Sequence, residues 1–174
     1  MIIYVYFDMD GVSAVWEGGK KRSHKRRFFL HRKLQKNVRD AMIILEERGY
    51  IIKNLTSAYK DGHSRQNKQT WKERKGVPGE IIFVDYGKDK AKGLPKSKKI
   101  FHFLIDDLSD NLRAFEKYGD HFVAIKFYNG INGTKGTWVG RRSVSHEMSA
   151  EEIADAIERY ILEVVGGKES CHAV

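Results

Sequence analysis

The strongest constraint on how this chain folds is a series of short, nearly unbroken apolar runs set between stretches of helical periodicity. The first run, Ile2 to Phe7, suits a strand buried on both faces rather than one. Gly11 follows and breaks it. Tyr50–Leu55, Ile81–Asp85, Phe101–Ile105 and His121–Phe127 repeat the pattern. A helix is predicted from Leu34 to Arg48, because Val38, Ala41, Met42 and Leu45 form one apolar stripe and Gly49 supplies a stop. Asp61–Lys75 reads as a polar helix ended by Gly76 and Pro78. Ser109 is placed to cap a helix through Tyr118, and Gly119 ends it. Ser149-Ala-Glu-Glu152 is a capping box. It opens a last helix with Ile153, Ile157, Tyr160, Ile161 and Val164 on one face, ended by Gly166 and Gly167. Buried strands alternating with helices predict an α/β fold: a Rossmann-like, mainly parallel sheet of about five strands flanked by helices.

A chain of 174 residues can bury a core without disulfides or a structural metal. No internal repeat or linker divides it, so residues 1–166 read as one domain. Within it, 13–33 form a short basic insertion, and 167–174 read as a frayed tail. A lone cysteine, Cys171, excludes a disulfide framework and a Cys-cluster zinc site. No apolar stretch approaches the roughly 18 residues needed to span a bilayer. The expected setting is a reducing cytoplasm, with no membrane partner.

Ligands of parallel α/β sheets sit beyond the carboxyl ends of the strands. Here those ends carry chemistry. Strand one ends on Asp8-Met9-Asp10-Gly11, strand two on Thr56-Ser57, and strand four on Asp106-Asp107. Strand three runs into Asp85 and then Lys88-Asp89-Lys90. Carboxylates gathered this closely repel one another, and a bound hard cation removes that penalty. Magnesium prefers oxygen ligands and typically takes one or two carboxylates plus phosphate oxygens. The seven histidines share no ligand spacing, which argues against zinc. With a cation bound, one carboxylate can attack phosphorus as a nucleophile, and a lysine can neutralise the transferring group.

The net charge of +9, from 32 basic and 23 acidic residues, favours anionic partners. Much of it lies in the run from Lys20 to Lys33. Arg26 and Arg27 are candidates there for drawing in phosphate. Phe28 and Phe29 either stack on a base or pack into the core. Trp138, Arg141 and Arg142, after a Gly-rich loop, are further candidates for stacking and phosphate contact.

Tyr4-Val-Tyr-Phe-Asp8-Met-Asp10-Gly11-Val12 resembles the first motif of the haloacid dehalogenase (HAD) superfamily of phosphotransferases. Leu55-Thr56-Ser57 resembles its second motif, Lys90 the lysine of its third, and Leu104-Ile-Asp106-Asp107 its acidic fourth. All four occur in family order. Leu55-Thr-Ser-Ala58 and Phe103–Asn111 are similar to the 5′(3′)-deoxyribonucleotidase group, and Ile125–Trp138 to phage and prophage members of it. The resemblance implies a magnesium-dependent phosphatase with a minimal cap. Asp8 would be the nucleophile, and Asp10 the acid for the leaving oxygen and then the base for water. Thr56 would bind the transferring phosphate, and Lys90, or else Lys92 or Lys96, would bridge phosphate and nucleophile. Asp106 would hold magnesium with Asp8 and the main-chain carbonyl of Asp10. Asp107 would lie at the edge of the ion's ligands, with Asp110 and Asn111 orienting the cluster. Gly11, Ser57 and Lys92 are further candidates for phosphate contact. The implied substrate is a nucleotide or other phosphomonoester. A cap of only about twenty residues leaves the site open, which keeps a polynucleotide end in view as the alternative. A non-catalytic, basic nucleic-acid-binding module on the same scaffold is the reading from another class.

Overall fold

The computed structural model describes residues 1–17, 28–131, 138, 140 and 142–169. Its elements are β1 (Ile2–Phe7), α1 (Lys36–Glu47), β2 (Ile51–Ala58), α2 (Gly62–Lys75), β3 (Glu80–Asp85), β4 (Ile100–Asp106), α3 (Ser109–Glu116), β5 (Phe122–Tyr128), β6 (Ser143–Ser145) and α4 (Ala150–Glu169). A single 3-10 turn, Phe29–His31, precedes α1. The strands pair in the order β3-β2-β1-β4-β5-β6, every pair parallel. The chain moves outward from β1 to β2 and β3, then crosses back to β4. The reversal therefore falls between β1 and β4, where a parallel sheet opens a crevice at its carboxyl edge.

Alternation with period two feeds two apolar layers. Val5 and Phe7 of β1, Phe103 and Ile105 of β4, and Ile125 and Phe127 of β5 join the layer under α1 and α4. Tyr6, Leu104 and Ala124 point the other way, joining Leu112 and Phe115 of α3. On this second face Tyr6, His102 and Phe122 stack across three strands. His102 Nε2 lies 2.9 Å from the Pro95 carbonyl, which only accepts, so Nε2 carries the proton. The Tyr6 hydroxyl then donates to Nδ1 at 2.9 Å. Burial lowers the His102 pKa and keeps the ring neutral, although the bond to Pro95 works against it. This bond and the buried Ala91 and Leu94 fix the segment between β3 and β4, which carries Lys90.

Helix α2 is the polar helix of the sequence, and its inward-facing residues are Lys68 and Trp71. Trp71 packs edge-on against Phe29 of the 3-10 turn, and its Nε1 donates to the Arg32 carbonyl at 2.9 Å. Phe29 thus belongs to the core. Trp71→Ala is expected to cost about 3–5 kcal/mol, the range for a buried tryptophan, measured by denaturant unfolding.

Three details differ from the sequence reading. The sheet gains a sixth strand, β6, too short at three residues to show as an apolar run. Helix α4 passes through Gly166 and Gly167 to Glu169, because a glycine inside a helix costs only about 1 kcal/mol against alanine. Residues 167–169 therefore belong to the helix, and 170–174 lie outside the described residues. Ser109 does not cap α3. Leu108 occupies the cap position, and the Ser109 hydroxyl accepts from Lys126 Nζ at 3.2 Å. The capping box before α4 forms, with Ser149 N to Glu152 Oε2 at 2.8 Å and Glu152 N to Ser149 Oγ at 3.2 Å.

The insertion after β1 leaves and re-enters through a pinned neck. Val15 N donates to the Lys33 carbonyl at 2.9 Å, and Gln35 N to the Ser13 carbonyl at 2.8 Å. Residues 18–27, with Arg26 and Arg27, lie outside the described residues, as does Arg141. No helix among the described residues is long and apolar enough to cross a membrane.

Candidate active site

The reversal between β1 and β4 brings Asp8 and Asp106 to adjacent strand ends, since Asp8 N donates to the Ile105 carbonyl at 2.9 Å. Lys90 Nζ joins them, 2.9 Å from Asp8 Oδ1 and 2.6 Å from Asp106 Oδ2. All three side chains are buried. Burial opposes the Lys90 charge, but Asp106 and Asp8 outweigh it and raise its pKa above the ordinary lysine range. Burial raises the Asp106 pKa, with Lys90 pulling the other way. Asn111 Nδ2 donates to Asp106 Oδ2 at 2.9 Å, and Leu108 N to Oδ1 at 2.8 Å, so Asp106 is fixed from three sides. Lys92 and Lys96 are exposed, and Lys96 lies over the Tyr118 ring. Lys90 is the lysine the fold delivers to the carboxylates.

Asp107 completes the cluster. Carboxylate oxygens of Asp8, Asp106 and Asp107 lie within 4.8 Å of one another. Asn129, at the end of β5, holds Asp107 Oδ2 at 3.0 Å and the Gly11 carbonyl at 3.1 Å. Lys126 Nζ donates to the Asp107 carbonyl and steadies the turn from beneath. Gly11 has φ +81, and a Cβ there would stand 2.2 Å from Asp107 Oδ2. A side chain at residue 11 is therefore excluded twice, by backbone conformation and by the approach of Asp107.

The donor set fits a hard divalent cation. It is all oxygen and buried, with three carboxylates against Lys90 and, beneath Asp107, Lys126. Asp8 Oδ1 meets Lys90 Nζ at 2.9 Å, so the ammonium and a cation would share the charge of this carboxylate. The sequence reading left Asp107 either among the ion's ligands or just outside them, and its carboxylate is one of the three.

Asp10 faces the other way. Its side chain is a third exposed, and it forms an ion pair with Lys68 of α2. Lys68 Nζ also donates to Thr56 Oγ1 and to the Ser57 carbonyl, both at 2.7 Å. Lys68 thus ties the second strand end to the first. The carboxylate of Asp10 is not among the three clustered ones, which restricts any part in ion binding to its main chain. Ser57 meets Lys68 through its carbonyl. Asp110 does not orient the cluster, because it sits on the outer side of the first turn of α3, 93% exposed and paired with Arg113.

Lys68, Asn129 and Lys126 were not singled out from sequence. Lys68 left one trace: it lies three residues before Trp71, so the two share a face of α2.

Fold and site together define a HAD-like α/β architecture with an acidic cluster at the sheet's switch point. No protein-family model matches the sequence, and no curated relative does. Solved structures are similar in fold. A D,D-heptose 1.7-bisphosphate phosphatase from B. bronchiseptica, complexed with magnesium and phosphate, superposes with a TM-score of 0.61 at 12% identity, covering 92% of this chain and 99% of that one. A Pnkp1/Rnl/Hen1 complex gives 0.56 at 16% identity over 71% of this chain, and a Pnkp1/Rnl/Hen1 RNA repair complex gives 0.55 at 13% over 72%. The chain spans 45% and 42% of those two chains' lengths.

Proposed function

We propose that this protein is a magnesium-dependent phosphomonoesterase that works through an aspartyl-phosphate on Asp8, with nucleotides as its substrate class. The observation that carries the reading is the convergence of Asp8, Asp106 and Asp107 on one buried point, with Lys90 between the first two. Oxygens of Asp8, Asp106 and Asp107 would hold the ion, with the main-chain carbonyl of Asp10. When bound, it supplies positive charge to the phosphoryl oxygens and offsets the repulsion among the carboxylates.

The protein's own groups carry the steps. Asp8 forms a bond to phosphorus as the bond to the leaving oxygen breaks. Asp10 gives its proton to that oxygen. In the second half, Asp10 takes a proton from water, the water oxygen bonds to phosphorus, and the Asp8–phosphorus bond breaks to release phosphate. Lys90 holds Asp8 in line and balances charge on the transferring group. Lys68 holds Asp10 and Thr56 in fixed relation, so the acid and the phosphate-binding hydroxyl are set by a single ammonium.

One carboxyl group serves both half-reactions, so Asp10→Asn is expected to lower steady-state turnover at neutral pH by about a hundredfold or more. Full retention of rate would remove Asp10 from both roles. The reading as a whole is tested by hydrolysis of an aryl phosphate with magnesium and with a chelator. Magnesium-dependent release of phosphate supports it. Background turnover in both, across a panel of nucleotides as well, would return the chain to a binding module on the same scaffold.

A phosphorylated polynucleotide end is the second reading. The fold likeness to chains of an RNA repair complex favours it, as does the shortness of the insertion closed by the Val15–Lys33 and Gln35–Ser13 bonds. Comparing 5′- and 3′-deoxynucleotides with phosphorylated oligonucleotides separates the two.

A further inference from the structure

Arg32 is a buried cation near the site that the mechanism leaves unused. It is 2% exposed. Its guanidinium lies between two aromatic rings, 4.7 Å from the centroid of Trp16 and 4.1 Å from that of Phe28. Nη1 donates to the Val15 carbonyl at 3.0 Å. Nε and Nη2 are buried, and neither meets a hydrogen-bond acceptor among the described residues. The charge of Glu17, next to Trp16 in the chain, acts on the guanidinium without a hydrogen bond to Nε or Nη2.

The two free N–H groups are the parallel edge of the guanidinium, the fork that matches two oxygens of one phosphate. Burying such an edge unpaired is costly, more so for a charged donor than for a neutral one. The aromatic sandwich fixes the plane of the fork but gives its N–H groups no acceptor.

The position of Arg32 tells which part of a substrate it meets. Its carbonyl is held by Trp71, one turn along α2 from Lys68, and Lys68 holds Asp10. The charge of Asp10 also acts on the guanidinium. Arg32 therefore stands on the Asp10 side of the centre. Displacement at phosphorus puts the nucleophile and the leaving oxygen in line on opposite sides. The Asp10 side is the side of the leaving group.

The geometry points to Arg32 as the receptor for a second phosphate carried by the leaving alcohol, so that the preferred substrate is a phosphomonoester with a neighbouring phosphate. This rests on the phosphatase reading above and narrows it. The second phosphate is either a monoester, as in a nucleoside 3′,5′-bisphosphate, or the first diester of a phosphorylated dinucleotide.

Binding separates this proposal from turnover. Asp8→Asn protein with magnesium is titrated by calorimetry with a nucleoside 5′-monophosphate, the 3′,5′-bisphosphate of the same nucleoside, and a 5′-phosphorylated dinucleotide. At least one of the last two is expected to bind about tenfold or more tighter than the first, in line with a charge-assisted pair of hydrogen bonds. Which of them gains identifies the source of the phosphate. Adding Arg32→Lys keeps the charge and removes the fork, so that preference should fall by about tenfold. Arg32→Gln should abolish it. Equal binding of all three ligands would overturn the proposal. So would a preference unchanged in folded Arg32→Lys protein, and so would failure of both variants to fold, which would make the guanidinium part of the fold alone. Absence of turnover in the wild type bears instead on the phosphatase reading.

Discussion

Asp8→Asn is expected to lower aryl phosphate turnover by at least about ten thousandfold while leaving the protein folded, in line with removal of a covalent nucleophile. A carboxylate offers an anionic oxygen to phosphorus, whereas a carboxamide offers a neutral one and cannot form the same acyl phosphate. The residual rate would come from binding and charge alone, as in other enzymes stripped of their nucleophile. A second readout keeps this from being a simple loss-of-function result. Asp8, Asp106 and Asp107 stand within 4.8 Å, with Lys90 between the first two and Lys126 beneath the third. Removing one charge relieves repulsion in metal-free protein and removes a ligand from magnesium-bound protein. The variant is therefore expected to be as stable as wild type, or more so, in chelator. The rise in melting temperature on adding magnesium should shrink, because stabilisation follows differential binding to the native state. Wild-type turnover in this variant would end the covalent mechanism. An undiminished magnesium-induced rise would remove Asp8 from the ion's ligands.

The part of the site legible in the sequence was the part that lies on strand ends. A buried parallel strand has period two and terminates at one edge, so Asp8, Thr56 and Asp106 announced a common location before any coordinates. Lys90 came first among three candidates, with Lys92 and Lys96, because it lies nearest the end of β3. What escaped depends on a helix face or on a loop. Lys68 sits in a helix that reads polar along its length, and its burial follows from Trp71 docking on Phe29, a contact just over forty residues away in sequence. Asn129 closes a contact to Gly11 across 118 positions. Asp110 misled for a related reason: nearness to Asp106 in sequence suggested nearness in space. The helix begins between them, and its first turn carries residue 110 outward while Leu112 goes in. Arg32 belonged to a basic run that composition assigns to solvent. Two aromatic rings and a tight neck, invisible to composition, bury it.

Lys90→Met is expected to produce the largest loss of stability at the site, about 3–5 kcal/mol in chelator, the range for breaking a buried ion pair by removing one partner. The methionine fits the volume, so the cost is electrostatic: two buried carboxylates lose the ammonium that lies 2.9 and 2.6 Å from them. Two dependences follow. Magnesium should restore part of the loss, since at a concentration of 100 times its dissociation constant a ligand adds about 2.7 kcal/mol. The pH dependence should steepen as well. Burial already raises the Asp106 pKa against the pull of Lys90, and without Lys90 it rises further. A carboxyl group whose folded pKa lies above its unfolded value near 4 binds more protons in the native state. Its contribution to stability is then present at low pH and is lost as pH rises through the folded value. Metal-free Lys90→Met protein should therefore be more stable near pH 5 than near pH 8, with a difference larger than that of wild type. Denaturant unfolding in chelator at several pH values measures it. A variant as stable as wild type, with neither a magnesium nor a pH response, would mean that Lys90 does not balance these carboxylates, and the charge argument for a cation at their centre would go with it.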